Sequence, residues 1–165
     1  MFGLSTVGFI HTALSLVALA TLITAFVREG RLTSTRPIGR SSLVMTGLAA
    51  LTSLTIFRHG GAGPAHALAV LSLIAVVAAF VLARLNALVG EAIAAGLTLL
   101  FHLIPGVTET LVRVPASQPF AASPEDPALR PVYGVVLVVS LMMLALQVRA
   151  ARSTGTIRVG ESAQQ

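Results

Sequence analysis

The sequence predicts an all-α fold: a polytopic transmembrane helical bundle of about five spans, with its N-terminus outside and its C-terminus inside. Three observations predict it. Five long apolar stretches are separated by Arg-bearing or Pro-rich breaks, and each is long enough, or nearly so, to cross roughly 30 Å of hydrocarbon as a helix rising 1.5 Å per residue. Hydrophobic residues make up 55% of the 165-residue chain and charged residues only 10%, an apolar excess that a soluble domain of this size could not hide, so it must face lipid. The basic residues are all Arg, and they are unevenly shared. Eight fall in the 28–40 break, at Arg84 and at Arg149, Arg152 and Arg158, against Arg58, Arg113 and Arg130 in the alternate breaks. Positively charged loops stay in the cytoplasm, which sets the orientation.

The first span is expected over about 3–27, and it lacks the basic n-region and small-residue cleavage site of a secretory signal, so it reads as a retained helix. A solvated loop follows at 28–40, broken by Pro37 and Gly39. The second span, about 41–57, ends in RHGGAGP, whose glycines and Pro64 give a tight turn between antiparallel neighbours. The third span covers about 65–83. Only Arg84, Leu85 and Asn86 separate it from the fourth, about 87–104, so these two should form a hairpin closed off by Pro105 and Gly106. Residues 107–131 hold five prolines among polar residues, which predicts an outer irregular loop. The fifth span is expected over about 132–148. The bundle thus occupies 1–151, and 152–165 reads as a polar, mobile cytoplasmic tail.

Several chemistries are excluded. No basic patch on a soluble domain offers a nucleic-acid surface, and the absence of Cys removes disulfides, thiolate metal sites and Cys nucleophiles together. Gly60, Gly61 and Gly63 are not followed by the Lys-Ser/Thr of a phosphate-binding loop. The serines lie within spans without a His/Asp partner motif, so a hydrolase is not supported.

In this orientation all four histidines, His11, His59, His66 and His102, fall toward the outer side. Imidazole is the usual side-chain ligand of haem b iron and of many transition metals, so His11, His66 and His102 are candidate haem or metal ligands, with His59 and Glu109 as further metal ligands. No pair shows helical ligand spacing, and histidines hydrogen-bonded within the bundle are the simpler reading. On the fourth span Glu91, Thr98, His102 and Glu109 share one helix face to within about 20°. An ionised carboxylate at the depth of Glu91 costs on the order of 2.5 to 3.5 kcal/mol on insertion scales. It is expected either to relay protons toward His102 or to pair with Arg84, whose long stem can snorkel to the interface. Tyr133, Ser140 and Gln147 on the fifth span, and Ser42, Thr46 and Ser53 on the second, mark faces that should point into the bundle.

The run TSLTIFRHGGAGPAHALAVLSLIAV at 52–76, with VGEAIAAGLTLLFHLIPGVTETLVRVP further on, resembles a family of small bacterial polytopic membrane proteins labelled as a domain of unknown function. His11, the Gly39-Arg40 loop, IFRHGG and His66 match that family's pattern, and the likeness covers about 9–115. Where the family often has His-Arg in the first loop, this chain has Thr35-Arg36, which removes a loop histidine as a ligand. The resemblance implies a bundle of four to five spans and leaves activity open.

Three functional classes follow. The first is a structural or accessory subunit of a larger membrane complex, partnered by lipid and by other subunits or a second copy. The second is a haem b or metal-binding redox protein, and the third a small transporter or proton conductor, for which few ionisable residues lie within the spans. The Lys-free, Ala-rich composition suggests a GC-rich bacterial genome, and helical proteins of bacteria belong to the inner membrane.

Overall fold

The computed structural model describes residues 5–57, 61, 63–115 and 117–162, with side chains through Thr154. Five helices make up the fold: α1 (Thr6–Glu29), α2 (Pro37–Ser53), α3 (Pro64–Arg84), α4 (Leu88–Arg113) and α5 (Leu129–Ser162). No strand occurs among the described residues. Four helical segments, α1, α3, α4 and Leu129–Thr154 of α5, are long and apolar enough to cross a membrane. The chain is built for a bilayer.

Local chemistry sets the helix ends. The Ser5 hydroxyl accepts the Gly8 amide at 3.1 Å to cap α1. Gly30, at φ 69°, ends it in the left-handed conformation that a glycine adopts without Cβ strain, and donates to the Phe26 carbonyl. α2 begins four residues before the expected Ser41, because Pro37 is already set at the helical φ in the first position. It stops at Ser53 rather than Phe57, where the Thr55 hydroxyl takes the Thr52 carbonyl at 2.7 Å and competes with the helical ladder. At 17 residues, or about 25 Å, α2 is the short member.

The α3–α4 hairpin closes as expected, with Asn86 at φ 54° making the reversal. α4 then departs from expectation, running through Pro105 to Arg113 instead of ending there. Pro105 lacks only the amide that would meet the Phe101 carbonyl, and the helix continues past it; the Thr108 hydroxyl further donates to the Ile104 carbonyl at 2.6 Å and that of Thr110 to Gly106 at 2.7 Å. α5 likewise continues through the segment read as a polar tail, because extending an existing helix is far easier than starting one. Its 34 residues reach about 50 Å, well beyond the hydrocarbon.

The 114–128 loop folds back on the bundle. Its Ala121 amide donates to the Leu111 carbonyl at 3.2 Å, and Ala121 is buried. α4 is the hub, touching α1, α2, α3 and α5, while α1 packs chiefly on α2. Leu22, Ala25, Leu43, Ala79, Ala95 and Leu99 form the core, and the small residues let helix backbones approach closely. Large apolar side chains on α1, α3 and α5, such as Phe9, Val77 and Val138, point outward, as lipid contact requires.

Candidate functional site

Where α1 ends at Gly30, the chain turns into the bundle instead of out to solvent. Leu32, Thr33 and Ser34 are almost wholly buried in a loop whose composition reads as exposed. A backbone segment taken from water must find partners for its amides and hydroxyls. It finds them on two side chains from different helices.

Glu91, in the first turn of α4, is 1% exposed. Its Oε1 accepts three hydrogen bonds: from the Thr33 hydroxyl at 2.7 Å, the Ser34 amide at 2.8 Å and the Ser34 hydroxyl at 2.9 Å. The N-terminal end of α4 adds a favourable dipole for negative charge. Oε2 is buried with no hydrogen-bond partner. The expected pairing of Glu91 with Arg84 does not form, since Arg84 is exposed at the α3 end and the loop hydroxyls occupy the carboxylate first.

Gln147, 0% exposed on α5, holds the preceding residue. Its Oε1 accepts the Leu32 amide, and its Nε2 donates to the Ala92 carbonyl of α4 at 3.2 Å. Three consecutive loop residues are thus stitched to α4 and α5. From the other side the Arg40 Nε donates to the Ser34 carbonyl at 3.3 Å. Gly39 brings α2 so close that a Cβ there would overlap the Thr33 carbonyl oxygen. The Thr35 hydroxyl, 2.9 Å from Thr33 Oγ1, donates to it, because that hydroxyl's own proton goes to Glu91.

The histidines serve separate contacts. His11 Nδ1 donates to the Ala49 carbonyl of α2 at 2.9 Å, with Thr52 Oγ1 at 3.2 Å. His102 Nε2 donates to the Ser15 carbonyl of α1 at 3.0 Å. Ser15 lies one turn from His11, and the two imidazoles are within electrostatic reach of each other. His66 takes other partners: its Nδ1 accepts the Gly63 amide at 3.2 Å, and its ring stacks on Phe57 with centroids 4.8 Å apart. Its Nε2 is buried without a partner. His59 lies outside the described residues. Glu109 is exposed and forms an ion pair with Arg113 one turn on. Among the described residues no three His, Asp or Glu side chains gather as a metal site would require.

The polar stripes do turn inward. Ser42 Oγ donates to the Ala18 carbonyl at 3.0 Å, and the Tyr133 hydroxyl meets Thr108 Oγ1 at 3.0 Å. Thr98 bonds its own helix at Ala95. The fourth-span face therefore separates into the Glu91 site at one end and the His102–Ser15 contact further along. Sequence reasoning found Glu91 and Gln147 but missed Thr33 and Ser34. The signal available was the Thr33-Ser34-Thr35 run of hydroxyls between Arg31 and Arg36, which also describes a solvated loop. No family model, no curated protein and no solved structure matches the chain.

Proposed function

We propose that this chain is a structural or accessory subunit of a larger membrane complex. The reading sets it in a bacterial inner membrane with five spans, α2 included, and with the 30–36 loop on the cytoplasmic side. The kinship with the family of small bacterial membrane proteins named above belongs to the same reading. The observation that carries it is the bracing of the inner loop. Glu91 and Gln147, the two strongly polar side chains buried on α4 and α5, are both spent on fixing loop backbone and hydroxyls. A loop so fixed holds the exposed Arg36 and Arg40 in set positions, which suits an acidic partner surface. His11 and His102 support the same view as packing contacts, since each joins α1 to a neighbouring helix through one ring nitrogen and a backbone carbonyl.

The test is gentle detergent extraction from native membranes with chemical crosslinking, followed by identification of what copurifies. A defined partner set that is lost in Arg36→Ala, with the melting temperature unchanged, supports the reading. A chain that purifies alone and monodisperse from native membranes overturns it.

One observation favours a second reading. The buried, unpartnered Oε2 of Glu91 is a place for a proton, as a proton-conducting protein needs. Proton flux in reconstituted vesicles that disappears in Glu91→Gln would favour conduction over assembly.

A further inference from the structure

The carboxylate of Glu91 is buried without a cationic side chain to answer it. The donors on its Oε1 are two hydroxyls and a backbone amide, all of them neutral. Its Oε2 is shielded from solvent and has no hydrogen-bond partner. A buried carboxylate with no counter-charge is strongly unfavourable, and more so beside hydrocarbon. The N-terminal end of α4 supplies only a fraction of a charge. Arg40 touches the same loop, but its Nε donates to the Ser34 carbonyl at 3.3 Å, and Arg36 and Arg84 are exposed.

Oxygen donors gather around this carboxylate. Thr33 Oγ1 and Ser34 Oγ stand 2.7 and 2.9 Å from Oε1, and Gln147 Oε1 holds the amide of the adjoining Leu32. A hydroxyl that donates its proton keeps two lone pairs. Those of Thr33 meet the Thr35 hydroxyl and amide, whereas Ser34 Oγ accepts no hydrogen bond among the described residues. The segment that carries both has left the helix at the C-terminal end of α1, where backbone carbonyls lose their intrahelical donors. Irregular backbone enclosed by a membrane bundle offers such carbonyls to alkali ions. The described imidazoles serve other contacts, so the donor set is a hard one.

We propose that Glu91 binds one sodium ion, through Oε2 with Ser34 Oγ as a second oxygen. One carboxylate balances one charge. A divalent ion would leave an excess of positive charge in a loop that already carries Arg31, Arg36 and Arg40. The smaller alkali ion suits the place, because α2 presses on the loop so closely at Gly39 that no Cβ fits there, and cavity size is what separates cations of like charge. The bound ion ties the loop to α4 in addition to the hydrogen bonds. This inference does not depend on the subunit reading, and it sets sodium against the proton of the second reading as the occupant of the same oxygen.

The experiment uses the full chain in mild detergent, prepared in choline chloride and melted after addition of sodium, potassium or further choline chloride at equal ionic strength. Sodium should raise the melting temperature saturably, potassium less and choline not at all, since an ion bound only by the folded state stabilises it by mass action. Calorimetric titration with sodium chloride should give one site per chain. Glu91→Gln keeps an oxygen for the loop donors, so it should melt only slightly below the parent in choline and show no sodium response. Ser34→Ala should weaken sodium binding on the order of tenfold. Equal melting in sodium and choline, a potassium response as large as that of sodium, or a sodium response retained in Glu91→Gln would each overturn the proposal. A flat sodium titration together with Glu91-dependent proton flux would overturn it and give the oxygen to a proton, while copurification with partners bears on neither result.

Discussion

Glu91→Ala removes the one acceptor shared by the Thr33 hydroxyl and by the amide and hydroxyl of Ser34, all of them buried. A buried donor left unsatisfied costs about 1–3 kcal/mol, so the expected loss is on the order of 3 kcal/mol, read as a lowered melting temperature in detergent. Glu91→Gln keeps an oxygen at the same place and should lose only about 1 kcal/mol. Equal effects from the two substitutions would show that the hydrogen bonds do not hold the loop. Gly39 and Gly96 give a second contrast at this scale. A Cβ at Gly39 meets the Thr33 backbone, which has no room to yield, whereas one at Gly96 meets the end of the Leu144 side chain at 2.7 Å, which can rotate away. Gly39→Ala should therefore destabilise by about 1–3 kcal/mol and Gly96→Ala by clearly less, measured in the same melts. The sequence pointed to Glu91 through its depth in an apolar helix. It could not point to Thr33 or Ser34, because a hydroxyl-rich loop reads the same whether water or a buried carboxylate satisfies it.

At the level of elements, apolar runs located the helices well but not their ends. α3 and the hairpin turn at Asn86 were legible, since Pro64 starts one helix and a short polar break ends it. Pro105 marks a terminus in sequence terms, but in an apolar helix the loss of the one amide that would meet the Phe101 carbonyl does not end the helix, and α4 runs on to Arg113. The 114–128 loop was legible as irregular, but its internal order was not. Asp126 supplies that order: its Oδ2 accepts the Ala122 amide and its Oδ1 the Ala128 amide, both at 2.9 Å. These amides hold its carboxyl below the usual carboxylate range. A depressed folded value means that the contribution to loop order is fully present above the ordinary Asp pKa and is lost as pH falls through the lowered one. The amide proton shifts of Ala122 and Ala128 should therefore titrate together below the ordinary range, and Asp126→Asn should abolish that titration. Shifts that move at the ordinary Asp value would mean that the turn does not form in solution.

For the whole molecule, membrane character was legible because it is a sum over many residues, whereas contacts between helices depend on pairs that no single-chain pattern reveals. The bundle is asymmetric in a way that composition alone does not show. α4 is enclosed by its neighbours, and the two polar braces, Glu91 and Gln147, lie at the end where the α1–α2 loop tucks in. If that end is cytoplasmic, as the Arg distribution implies, the 114–128 loop lies outside and Arg149 faces the inner leaflet, where anionic lipids are concentrated. The Cys-free sequence makes this directly testable, since any introduced Cys is unique. Ser123→Cys should react with a membrane-impermeant maleimide in intact cells, and Ser153→Cys only after permeabilisation. Leu48→Cys, on the outward side of α2, should resist labelling in both conditions if this 17-residue helix crosses the bilayer with its α1 partner. Labelling of Leu48→Cys would reduce the fold to four spans and place α2 at the interface. The sites at 123 and 153 would still fall on opposite sides through α5, but the Arg-rich loop would then no longer be fixed by the same alternation.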